Sequence, residues 1–126
     1  MNTKKLSVWA AALVILGVSA VTGARTYQKP KTVIQVVTIR WTADAAPEQR
    51  RAALEGVDKL AADFPGVRNV WLRPLRLQPR DFMSAYAIEF DDQAAAERFA
   101  KLPAHEAWNK SFLALIEESR TQQLSN

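Results

Sequence analysis

The sequence predicts an α+β fold in which one antiparallel sheet carries helices on one of its faces. Three observations lead there. A β-branched run opens the folded body, an amphipathic helical pattern follows and stops at Pro65-Gly66, and two further apolar runs precede a pair of helix starts. The chain has 126 residues, 48% of them hydrophobic and 24% charged, which suits a single globular domain.

Val33–Trp41 (VIQVVTIRW) reads as the first strand. Val33, Gln35, Val37, Ile39 and Trp41 share one face, and Ile34, Val36, Thr38 and Arg40 the other. Both faces are largely apolar, which predicts a central strand covered on both sides. Asp44 or Thr42 is the expected cap of the first helix, with Pro47 in its first turn. Ala53, Leu54, Val57, Leu60, Ala61 and Phe64 recur at helical spacing, and Gly56 among them marks either a weak point or a close packing contact. Val67–Gln78 alternates as a second strand in which Pro74 requires an edge or a bulge. Met83–Phe90 is the third strand. Asp91-Asp92 caps a helix over Ala94–Leu102, Pro103 opens another to about Ile116, and Ser119–Leu124 alternates weakly as a last strand. The order β-α-β-β-α-(α)-β is the split βαβ, ferredoxin-like arrangement. A sheet with helices on one side leaves its other face open, and apolar groups there call for a second sheet or a ligand.

Charge and composition exclude several functions. The net charge is +4, yet Lys4, Lys5, Arg25, Lys29 and Lys31 precede residue 33 and no acid does. Removing those five from the 17 basic residues leaves twelve, against 13 acids, in the body. A nucleic-acid binder would concentrate its basic excess in the domain, so nucleic acid is not an expected partner. Without cysteine there is no disulfide, thiolate nucleophile or Cys-ligated metal, and one histidine builds no His-rich site. No metal and no cofactor is expected.

Lys4-Lys5 followed by the uncharged run Leu6–Ala24 has the pattern of an export signal. A cut after Ala20 or after Ala24 would release the domain outside the cytoplasm. Uncut, residues 6–24 are just long enough to anchor it in a membrane, and a buried helix of the domain is the third reading. Cleavage is preferred. The expected division is 1–24 signal or anchor, 25–32 linker, and 33–126 folded domain.

Three blocks carry a family resemblance: the strand VIQVVTIRW, the segment FPGVRNVWL, and the run IEFDDQAAAERFAKLPAHEAW. By these the sequence resembles the stress-responsive A/B barrel (Dabb) family over about residues 33–124. The resemblance implies a ferredoxin-like monomer that pairs through sheet faces into a dimeric α/β barrel, hence a homodimer. It also implies a role for His105, which matches the second histidine of the family's His-Pro-x-His; in the polyketide-cyclase-like members that residue is the general acid/base. Leu102 stands in place of the first histidine, Phe99 in place of a positioning tyrosine, and Gln35 and Ser84 where strand histidines fall.

His105 is also the only side chain here that titrates near neutrality without a perturbed environment, which suits proton transfer. A cap or hydrogen bond at the start of the last helix is the plainer role, and the preferred one. Gln35, Trp41, Trp71, Ser84, Tyr86 and Phe99 are the candidate ligand-binding residues, with Trp41 and Trp71 expected at a barrel mouth. Arg68, Arg73, Arg76 and Arg80 lie in a stretch free of acids, which is either a solvated edge or a hold for an anionic ligand or lipid headgroup. The sequence therefore points to an exported dimeric domain binding a small apolar or aromatic molecule in the barrel. A cyclase-like or lyase-like enzyme using His105 is one alternative, and a non-catalytic dimerisation module at the membrane is another.

Overall fold

The computed structural model describes residues 26–126, so the signal or anchor segment lies outside the described residues. The order is β1 (Val33–Trp41), α1 (Pro47–Ala62), β2 (Val67–Trp71), β3 (Ser84–Phe90), α2 (Gln93–Ala100), α3 (Pro103–Leu113) and β4 (Ile116–Leu124). The sheet runs β2-β3-β1-β4 and every pairing is antiparallel, which is the ferredoxin-like arrangement with β1 central.

Local chemistry explains most boundaries. Asp92 caps α2, its carboxylate accepting from the Ala95 backbone N–H at 2.7 Å. The cap of α1 differs from expectation: neither Thr42 nor Asp44 serves. Ala46 holds the N-cap position, the Gln49 side chain accepts from its backbone N–H at 2.9 Å, and Pro47 starts the helix. The second strand is shorter than its alternation predicts. It ends at Trp71, because Pro74 cannot donate to a ladder, and an irregular loop over 72–83 follows. At the other extreme α3 stops at Leu113 and β4 begins already at Ile116, running along β1 from Trp41 to Ile34.

The register settles which side of the sheet meets the helices. Val33 pairs with Phe90, Val37 with Tyr86 and Ile39 with Ser84, so these share a side. Phe90 lies 5.2 Å from Phe99 of α2, and Tyr86 lies 6.2 Å from Trp108 of α3, ring centre to ring centre. Ile39, Ile88 and Phe90 on that side are fully buried. Gln35, Val37 and Ile39 are thus on the covered face. The open face consists of Ile34, Val36, Thr38 and Arg40 with Ala85, Ala87 and Glu89, and Trp71 joins it by pairing with Ala87. Both faces of β1 read as apolar in sequence, so periodicity had no means of choosing between them.

Candidate functional site

The link from α2 to α3 places His105. Lys101 closes α2, Leu102 is the N-cap of α3 with no side-chain acceptor, and Pro103 begins the helix. His105 then lies in the first turn, its ring N–H donating to the Ala100 carbonyl. That carbonyl is among the last of α2, where intrahelical partners run out. The imidazole therefore caps the preceding helix. Burial holds its pKa below the ordinary 6.5, against the smaller opposing pulls of the Ala100 carbonyl and Glu106, so the ring is neutral at pH 7. One nitrogen is committed to the backbone and the other is left as an acceptor.

The surroundings of the ring are aromatic. Phe99 is 5.2 Å away and Trp108 is 5.7 Å away between centroids. Phe99 is itself packed against Phe64 and Phe90, with no hydroxyl to offer. Trp108 stacks on Phe112 at 4.6 Å and 14°, and Phe112 meets the edge of Trp41. The Trp108 indole N–H donates to the Ala53 carbonyl of α1 at 2.8 Å. Its ring occupies the space a side chain at position 56 would need: a Cβ on Gly56 would lie 2.6 Å from Trp108 Cδ1. Gly56 is a close packing contact, and this is the reason a glycine is tolerated inside α1.

Five of the six candidate ligand residues share the helix-facing side, but their polar groups are already engaged or buried. Trp41 is buried, and its indole N–H donates to the Ser84 hydroxyl at 2.8 Å. Gln35 Oε1 accepts from Gln123, whose own Oε1 accepts from Gln93 of α2. Tyr86 is buried, and desolvation raises its phenol pKa well above the ordinary value. Trp71, the sixth, is half exposed on the opposite face. Trp41 and Trp71 consequently do not form one mouth.

A cavity of about 310 Å³ lies between α1 and α3. Gln49, Ala52 and Ala53 form one wall, and Trp108, Ser111 and Phe112 the other, with Leu115 closing it. Its walls are mostly apolar, with an amide and a hydroxyl among them, the composition common in small-molecule sites. None of these residues is among the sequence-derived ligand candidates, because small alanines and a serine carry no chemical signature. On the open face a smaller apolar recess of about 210 Å³ lies between Val36, Trp71 and Ala85 and the loop residues Pro74 and Leu77. Among the described residues no group of three or more His, Asp or Glu side chains is placed to hold a metal, and no helix is long and apolar enough to cross a membrane.

Comparison with known proteins places these features. The model of the Stress responsive A/B Barrel Domain matches residues 33–122. No curated protein matches the chain. Among solved structures, a dimeric ferredoxin-like protein of unknown function from Thermobifida fusca is similar with a TM-score of 0.67 at 18% identity, covering 79% of this chain and 95% of that one. The hydroxynitrile lyase of Passiflora edulis gives 0.67 at 17% identity, over 75% of this chain and 93% of its own. SnoaB, a cofactor-independent oxygenase from Streptomyces nogalater, gives 0.64 at 19% identity, over 76% and 93%. These likenesses extend to the fold.

Proposed function

The chain belongs to the stress responsive A/B barrel domain family, and from that premise we propose that it is an exported homodimer holding a small apolar or aromatic molecule between α1 and α3. The cavity walled by Ala52, Ala53, Trp108 and Phe112 carries this reading. The stacked Trp108–Phe112 pair offers an aromatic surface, while the NH2 of Gln49, whose Oε1 is held by the Ala46 N–H, and the Ser111 hydroxyl supply the few polar contacts that orient a bound molecule. Pairing is supported by the open face, where Ile34, Val36, Ala85 and Ala87 have no helix over them, and by solved neighbours described as dimeric. Export rests on Lys4-Lys5 and the uncharged run after them.

Filling the cavity tests the binding. Ala52 is exposed at its rim, so Ala52→Phe adds bulk there without disturbing the core. The purified protein should release a small molecule on denaturation, identifiable by mass spectrometry, and the variant should release none. Equal release from both proteins, or none from the native one, would count against this site.

One observation favours a second reading, catalysis by His105. The Ala100 carbonyl fixes one ring nitrogen and leaves the other neutral, as a general base requires. Against it, Phe99 and Leu102 bring no polar group to aim the ring, and the residues walling the cavity do not include His105. Binding without turnover is the reading the site supports best.

A further inference from the structure

The loop between β2 and β3 joins two properties that solvent exposure alone does not explain. Leu75 is 95% exposed and Met83 is 63% exposed. Arg73, Arg76 and Arg80 lie among them, and none has a carboxylate within ion-pair distance among the described residues. The single acid of the loop, Asp81, is taken by Arg40 of β1 at 2.8 Å. Pro74, Leu75, Arg76, Arg80 and Met83 together border an open recess of about 390 Å³. Three uncompensated guanidinium groups around exposed aliphatic side chains form an amphipathic surface within a body that is close to neutral overall.

We infer that this loop is a contact site for an anionic lipid bilayer, with Leu75 and Met83 entering the interface and Arg73, Arg76 and Arg80 meeting lipid phosphates. Guanidinium groups suit phosphate through paired donors, and basic residues at an anionic surface add attraction that falls off within a Debye length. Exposed aliphatic side chains beside them gain by leaving water. The partner is a surface and not a free anion, because isolated phosphate would leave Leu75 in water. A second copy of the chain fits less well: the apolar strip it would cover, Ile34, Val36, Ala85 and Ala87, meets the loop at Arg73, Pro74 and Leu77, while Leu75, Arg76 and Arg80 border a different recess. The loop adjoins Ser84, which pairs with Ile39, and so lies at the end of β1 opposite Val33.

Residues 26–126 lack the uncharged run and so test the loop alone; solved neighbours consist almost wholly of this domain, with 95% and 100% of their chains covered. The protein is sedimented with vesicles of phosphatidylcholine alone and of phosphatidylcholine with phosphatidylglycerol. Binding is expected only to the second, and high salt should release it. Arg76→Glu should weaken binding about fivefold or more, and Arg73→Glu/Arg76→Glu/Arg80→Glu should abolish it. Leu75→Ser should weaken binding without altering its salt dependence. If the triple variant melts below the native protein, the single Arg76→Glu decides. Equal binding to both vesicles, binding to neither, or full binding by the arginine variants would overturn the inference; binding to neither would leave an acidic protein as the partner to seek.

Discussion

The two faces of the sheet are built from the same strands and yet differ in what holds them. On the helix side Ile39, Ile88 and Phe90 are fully buried and Phe90 packs on Phe99, so that face is a closed core. On the open side a narrow apolar strip, Ile34, Val36, Ala85 and Ala87, lies between two polar groupings. At one end Glu89 accepts from Thr32 and Asn69, both at 2.6 Å, and these bonds hold its carboxyl below the ordinary range. At the other, Arg40 pairs with Asp81 and Glu118, and Arg120 lies over the Phe82 ring at 4.6 Å. The contrast separates stability from association. The covered face supplies folding energy within one chain, while the open face keeps an apolar strip framed by fixed charges, suited to a matching sheet.

The sharpest way to break this contrast is to hollow the covered face. Phe90→Ala removes a fully buried ring and should cost about 3–5 kcal/mol, measured by denaturant unfolding of residues 26–126. Val36→Ala on the other side should cost the isolated fold far less, since Val36 is only half buried.

Next in size is a change read as association. Val36→Asp places a charge in the apolar strip and should cost the monomer no more than about 1 kcal/mol. Light scattering at micromolar concentration should nevertheless fall from twice the monomer mass to a single mass. A native protein that is already monomeric would show that the open face is not a dimer surface.

Gly56→Ala tests how tightly α1 is closed over α3. Helix propensity alone favours alanine by about 1 kcal/mol. The added methyl would meet Trp108 at 2.6 Å, and the indole is held by the Ala53 carbonyl and the Phe112 stack. A net loss of about 1–2 kcal/mol is expected, with a changed Trp108 fluorescence spectrum. A gain in stability would mean that Trp108 moves freely and the cavity is adjustable.

The elements differ in how legible they were, for physical reasons. VIQVVTIRW announced β1 because most of its residues are β-branched, and Asp92 announced α2 because its carboxylate can accept from a backbone N–H of the first turn. The strand Ile116–Leu124 is polar and mostly exposed; its place comes from backbone pairing with β1, which leaves little trace in side-chain alternation. β2 was read too long because Leu75 and Leu77 continue its alternation, although Leu75 faces solvent. At the site, the imidazole of His105 was legible as the one group suited to neutral pH. Its partner was not, because the Ala100 carbonyl is a backbone group and carries no residue-specific signal. The cavity walls stayed hidden for a related reason: Ala52, Ala53 and Ser111 matter by being small.

The smallest effect concerns the polar group embedded in the covered face. His105→Ala removes the bond to the Ala100 carbonyl and the contacts with Phe99 and Trp108, and should cost about 1 kcal/mol. The pH dependence gives this loss a signature. Burial keeps the folded-state pKa below the 6.5 of the unfolded chain, so on acidification the unfolded state takes up its proton first. Stability from this residue is therefore full above about pH 6.5 and declines as the pH falls below that value. Melting temperatures across that range should show the decline in the native protein, and the difference from His105→Ala should narrow on acidification, since other groups titrate alike in both. Phe99→Tyr supplies the hydroxyl that the ring lacks. In a binding domain that change should leave the protein without turnover, because packing and capping already account for His105. An aldol or lyase activity present in the native protein, lost in His105→Ala at unchanged melting temperature and altered by Phe99→Tyr, would move His105 from capping residue to general base.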